Sequence, residues 1–120
     1  MPQFVTLLVE DDMLQREVMA DLLRDEGFEV VECSTAEAAE LIVATSGTEL
    51  RALITDNRLS GSMSGIELAE YARERYPAMN IIVMSGKEVP KLPAHTTFLQ
   101  KPFEPVHLLR AVIGRNGTRR

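Results

Sequence analysis

The 120-residue chain, 45% apolar and 26% charged, is sized for one domain with its own core and is too apolar for disorder. Its lone cysteine, Cys33, excludes an intramolecular disulfide framework and a multi-cysteine zinc site while permitting the cytosol. The net charge of −5 divides into 13 acids against 4 bases over residues 1–60 and 5 against 9 over 61–120, a poor balance for unspecific nucleic-acid binding.

No cationic stretch runs into a long apolar one at the N-terminus, so no signal peptide is expected. No apolar run approaches the ~20 residues a membrane span needs. The first predicted strand is Phe4 to Val9, nearly all apolar. A helix follows from Met13 to Glu26, with Leu14, Val18, Leu22 and Met19 as its stripe and Gly27 as its stop. Glu29 to Cys33 reads as a shorter, more polar edge strand. Ser34 with Glu37 has the spacing of a capping box for a helix running to about Thr45. Ala52 to Thr55 is the third strand, ending at Asp56. A loop containing Gly61 and Gly65 leads to a helix over Ile66 to Arg75, closed by Tyr76-Pro77. Asn80 to Met84 and Thr97 to Gln100 are the fourth and fifth strands. The last helix, Glu104 to about Gly114, carries Leu108, Leu109, Val112 and Ile113 on one side.

Alternating strands and helices imply right-handed βαβ units and a parallel sheet covered on both faces, hence one open α/β domain. One unit is irregular. Gly86 to Thr96 offers eleven residues, Pro90 and Pro93 among them, where a parallel crossover needs about a dozen. The fourth helix is therefore expected to be stunted or missing.

In such sheets ligands gather beyond the carboxyl ends of the strands. Glu10, Asp11 and Asp12 follow strand one, Asp56 follows strand three, Ser85 follows strand four, and Lys101-Pro102 follows strand five. Singly, each has an ordinary reading as turn former, helix cap, loop hydroxyl or solvated cation. Together they place carboxylates, a hydroxyl and an ammonium at one edge. Clustered carboxylates need a cation, and an oxygen-ligand site that keeps its waters suits Mg²⁺. A carboxylate can also accept a phosphoryl group, with metal and lysine neutralising the transferred charge.

Five segments carry a resemblance: Leu7-Leu-Val-Glu-Asp-Asp12, Leu53-Ile-Thr-Asp56, Met63-Ser-Gly65, Ile81-Ile-Val-Met-Ser-Gly86 and Phe98-Leu-Gln-Lys-Pro-Phe103. In this order, across essentially the whole chain, they resemble the receiver domain of two-component response regulators, the family of the bacterial chemotaxis regulator. The resemblance implies a flavodoxin-like open five-stranded parallel sheet of order 2-1-3-4-5, here with a stunted fourth helix. It implies a cytoplasmic, stand-alone domain over 1–120 that is no enzyme beyond its own phosphorylation and dephosphorylation. Asp56 would take phosphate from a sensor histidine kinase or phosphotransfer protein. Glu10 and Asp11 would hold Mg²⁺ with Asp56 and the backbone carbonyl of Arg58, Glu10 through water. Ser85 and Lys101 would bind phosphoryl oxygens, Phe98 would be the switch aromatic, and the Lys101-Pro102 bond would be cis. Asp12 lies outside this set and reads as a helix cap. Arg58 and Lys87 would rim the site and tune the phosphoryl lifetime. Output would pass to a downstream protein target by protein contacts, without direct nucleic-acid binding or membrane insertion.

Leu59-Ser60-Gly61-Ser62 departs from the family's Leu-Pro turn and is one residue longer. The short fourth unit alters what is usually the output surface. Two other readings stay open: a receiver-like interaction module that takes no phosphate, and a flavodoxin-like redox protein. Against the second, Glu10-Asp11-Asp12 would repel the phosphate of FMN. The remaining residues read plainly: Cys33 and most methionines as core, His95 and His107 as lacking the spacing or acid partners of metal ligands or of an activated nucleophile, and Arg115, Arg119 and Arg120 as a solvated end.

Overall fold

The computed structural model describes residues 5–117, with side chains as far as Gly114. Phe4 and the side chains of the basic tail, Arg115, Arg119 and Arg120, lie outside those bounds. Five strands, β1 (Val5–Val9), β2 (Glu29–Cys33), β3 (Leu50–Asp56), β4 (Asn80–Ser85) and β5 (Thr96–Gln100), form one sheet in the order β2-β1-β3-β4-β5, every pair parallel. Four α-helices accompany them: α1 (Met13–Asp25), α2 (Ala36–Ser46), α3 (Gly65–Arg75) and α4 (Pro105–Gly117). The last is bent at Gly114, which sits at φ 73°. Alternation along the inner strands sorts the core into two layers. Leu7, Val9, Leu53, Ile81 and Val83 pack under α2 and α3, while Leu8, Ile54, Ile82 and Met84 pack under α1 and α4. No described helix is long and apolar enough to cross a membrane.

The expected elements appear, and the fourth unit, expected to have a stunted or missing helix, has none: residues 86–95 are turns, bends and irregular chain, so the label α4 belongs to the last helix. Two details differ. First, α2 is capped by Thr35 rather than Ser34. Thr35 has the extended backbone of an N-cap, and its hydroxyl accepts the Ala38 N–H at 3.1 Å, leaving Glu37 for another use. Second, the buried face of α1 is Met19, Ala20 and Leu23. Leu14 and Val18, expected on the core stripe, are 71% and 60% exposed. Two apolar lines run along α1, and only one can face the sheet. Cys33 is buried as expected, and so are Met19, Met79 and Met84, whereas Met13 is exposed.

Candidate functional site

Strand register assembles the site. Val9 pairs with Thr55, so the next residues on each strand, Glu10 and Asp56, leave the sheet side by side. Asp56 pairs with Met84, and the Asn57 N–H bonds the Met84 carbonyl at 2.8 Å. Ser85 and Lys101 follow at the same edge, joined by a 2.8 Å bond from the Lys101 N–H to the Ser85 carbonyl. The Lys101-Pro102 peptide bond is cis.

Glu10, Asp11 and Asp56 each present a carboxylate oxygen, and the three oxygens lie within 4.8 Å of one another. Glu10 is 1% exposed and Asp56 is buried, while Asp11 faces solvent. The Lys101 ammonium stands 2.8 Å from Glu10 Oε1 and 3.4 Å from Asp56 Oδ1. Burial is the main force raising the pKa of both Glu10 and Asp56, with the neighbouring carboxylates adding to it and Lys101 opposing it. Burial would lower the pKa of Lys101, but its bond to Glu10 and the charge of Asp56 outweigh that and raise it.

Supporting contacts hold these groups in place. The Asp12 carboxylate caps α1 by accepting the Gln15 N–H at 2.9 Å, and its own N–H bonds Glu10 Oε2 at 3.2 Å. Asp12 therefore caps the helix and is absent from the carboxylate triad. Gln15 Oε1 accepts a second 2.8 Å bond from the Lys101 ammonium. Arg16 donates to the Glu10 carbonyl at 2.7 Å and pairs with Glu32 on β2. The start of α3 lies so close to β3 that a Cβ on Gly65 would fall 1.9 Å from the Asp56 carbonyl oxygen. Any side chain there would displace the backbone of Asp56, which gives the glycine of Met63-Ser-Gly65 its steric reason. Ser64 caps α3 in a full capping box with Glu67.

The other expected site residues lie as follows. Ser85 is half-buried, its hydroxyl accepting the Lys87 N–H at 3.2 Å. Arg58 and Lys87 are exposed. Phe98 stands beside Val83 in register, half-buried and packed into neither core layer. Sequence reasoning passes over Gln15 and Arg16, and gives Glu37 a different role, as the capping-box partner of Ser34. Gln15 and Arg16 carried a signal, since they fall three and four residues after the cap Asp12, on the turn that faces the strand ends. For Glu37 the capping-box spacing pointed to Ser34, and no local signal pointed to its contact with Ser62 and Met63.

The donor set fits Mg²⁺: three hard carboxylate oxygens within reach of one ion, one of them solvent-facing. The edge can bind a hard cation, and it presents an ammonium beside the carboxylates. Residues 6–113 match the response regulator receiver domain family. The chain belongs to that family. A response regulator receiver protein of Anaeromyxobacter sp. (strain Fw109-5) is 33% identical to this receiver over 105 residues, 87% of this chain and 42% of that one. The transcriptional regulatory protein FixJ of Azorhizobium caulinodans is 33% identical over 112 residues, 88% of this chain and 51% of that one. A crystal structure of a response regulator receiver protein from Sinorhizobium medicae WSM419 superposes with a TM-score of 0.79 at 29% identity, covering 90% of each chain. The receiver spans about half the length, or less, of the curated relatives it matches.

Proposed function

We propose that this receiver accepts a phosphoryl group on Asp56 from a phosphohistidine of a sensor kinase or phosphotransfer protein in the cytoplasm, and passes the signal on through protein contacts. The observation that carries the reading is the carboxylate triad with a single ammonium shared between Glu10 and Asp56. An Asp56 carboxylate oxygen forms the new O–P bond as the P–N bond to the donor imidazole breaks, the electron pair staying on nitrogen. Mg²⁺ held by Glu10, Asp11, Asp56 and the Arg58 carbonyl would supply positive charge against the phosphoryl oxygens. Lys101 already faces Asp56 and is placed to pair with the incoming charge, and the Ser85 hydroxyl to donate to it. Phe98, half-buried on the edge strand β5, would change its burial and report the event.

The exposed line on α1 supports a protein donor. Leu14 and Val18 border an apolar groove of about 620 Å³, closed on the other side by Pro102 and Phe103 and reaching Lys101. A histidine-bearing helix seated there would bring its side chain to the strand ends.

The test is mass spectrometry after incubation with acetyl phosphate. One phosphoryl group on Asp56, lost with chelator and absent in Asp56→Asn, is the expected outcome. Robust modification of Asp56→Asn, or modification undiminished by chelator, refutes the reading. A chain that takes no phosphate under any of these conditions is the interaction module instead.

A further inference from the structure

The loop between β3 and α3, one residue longer than the family's Leu-Pro turn, is held at residues 62 and 63 from outside. Glu37, in the first turn of α2, reaches across to it. One carboxylate oxygen, Oε2, accepts from the Ser62 N–H at 3.0 Å, the Ser62 hydroxyl at 2.9 Å and the Met63 N–H at 3.0 Å. The loop is shaped for this contact. Gly61 has φ +99°, and a Cβ there would stand 2.9 Å from Glu37 Oε1 and 3.2 Å from Oε2. A side chain at position 61 would thus meet both a strained backbone and the carboxylate itself. The Glu37 pKa is drawn down first by its own backbone N–H and then by the bonds from Ser62 and Met63. One residue before that glycine, the Ser60 N–H donates to Asp11 Oδ2 at 3.1 Å.

We infer that Glu37 is a positioning residue for the metal site: it straps the 60–63 loop so that the Ser60 amide orients the Asp11 carboxylate. The inference rests on the reading of Glu10, Asp11 and Asp56 as Mg²⁺ ligands, and it adds an element that reading does not use, helix α2. Asp11 is the one exposed carboxylate of the three, with no packing to fix its rotamer, so an oriented backbone donor is what limits its freedom. That donor is only as fixed as the loop, and three charge-assisted bonds to one oxygen fix it from outside. The stretch from Asp56 to Ser60 also contains Arg58, whose carbonyl belongs to the proposed ligand set.

The test is a Mg²⁺ titration of the full chain followed by backbone amide NMR, with the thermal midpoint measured separately in chelator. In wild type the amides of Asp11, Asp56 and Ser60–Met63 should shift saturably. Glu37→Ala should weaken Mg²⁺ binding about three- to tenfold, less than removal of a group directly bonded to a ligand. Glu37→Gln keeps one carbonyl oxygen for the loop donors and should stay within about twofold of wild type. Gly61→Ala leaves Glu37 in the sequence but forces its carboxylate aside, and should reproduce the Glu37→Ala loss. It also serves should Glu37→Ala not fold. A lower midpoint with unchanged Mg²⁺ affinity in Glu37→Ala and Gly61→Ala makes Glu37 merely structural and overturns the inference. Absence of saturable Mg²⁺ binding in wild type overturns the metal reading itself, and the inference with it, before any variant is compared.

Discussion

With three carboxylates and one ammonium gathered at the strand ends, the folded chain holds more negative charge than it neutralises. Opposite effects follow for the two partners of the same ion pair. Lys101→Ala leaves the buried Glu10 without its cation and should lower stability at neutral pH by roughly 1–3 kcal/mol. Asp56→Asn removes one of the crowded charges and should raise stability by about 1 kcal/mol in metal-free solution. The pH dependence has a definite sign. Glu10 and Asp56 have pKa values raised above those of the unfolded chain, mainly by burial. Between the two values the folded state therefore binds more protons, and stability falls as pH rises through that window. In chelator, wild type should melt higher near pH 5 than at pH 7, and Asp56→Asn should flatten the difference. Glu37, lowered in the folded state, works in the other direction and only at more acid pH. Thermal unfolding followed by circular dichroism reads all three chains, and a wild type that melts higher at pH 7 than at pH 5 would refute the account. Once the α/β alternation is recognised, the strand-end positions of Glu10, Asp56, Ser85 and Lys101 are legible in sequence. The partners of these residues are not. Gln15 meets Lys101 across 86 positions, and Glu37 meets Ser62 across 25, so no local pattern contains either contact.

Among the elements, the missing helix between β4 and β5 is the departure with a visible substitute. Arg73, near the end of α3, donates to the carbonyls of Ala94 and His95 in the connecting segment and to those of Pro77 and Met79 before β4. A helix would satisfy its own backbone and pack by side chains; here one planar guanidinium bonds the chain on both sides of β4. Arg73→Ala should destabilise the fold by about 2–3 kcal/mol and open residues 86–95 to proteolysis. Arg73→Lys should recover less than half of that, because a single ammonium cannot serve acceptors spread around a fork. Urea unfolding and limited trypsin digestion check both, and full recovery by lysine would reduce Arg73 to a plain surface charge. The absence of that helix was legible, because two prolines in eleven residues leave it no room. The face of α1 was not. Leu14-Val18-Leu22 and Met19-Leu23 are both helical lines, and periodicity alone does not choose between them. The choice is made by the sheet, against which the shorter Ala20 allows close approach. The cap of α2 was missed by one residue because Ser34 and Thr35 are both cap-forming residues and only the backbone turn decides.

For the whole molecule, the charge asymmetry matters at the mouth of the site. The acid-rich first half supplies the triad, and Arg58 and Lys87 stand exposed on the loops that follow Asp56 and Ser85. On the proposed function, two cations there would raise the local concentration of an anionic phosphodonor, an effect that salt screens. The double variant Arg58→Ala/Lys87→Ala should be phosphorylated about two- to fivefold more slowly by acetyl phosphate at low salt, and should lose most of the salt dependence seen in wild type. Its phosphoryl group should also decay at an altered rate. Rates equal to wild type at low and high salt would make both residues solvated bystanders. The strand order carries one more consequence. Lys101 leaves the edge strand β5, while Glu10 leaves β1, three strand spacings away, a distance of roughly 14 Å. Only two long side chains stretched toward each other over the ends of β3 and β4 can close that gap, as they do at 2.8 Å. The site is therefore gauged in methylene groups as much as in charges: an aspartate at position 10 or a shortened amine at position 101 would keep every sign and lose the bridge.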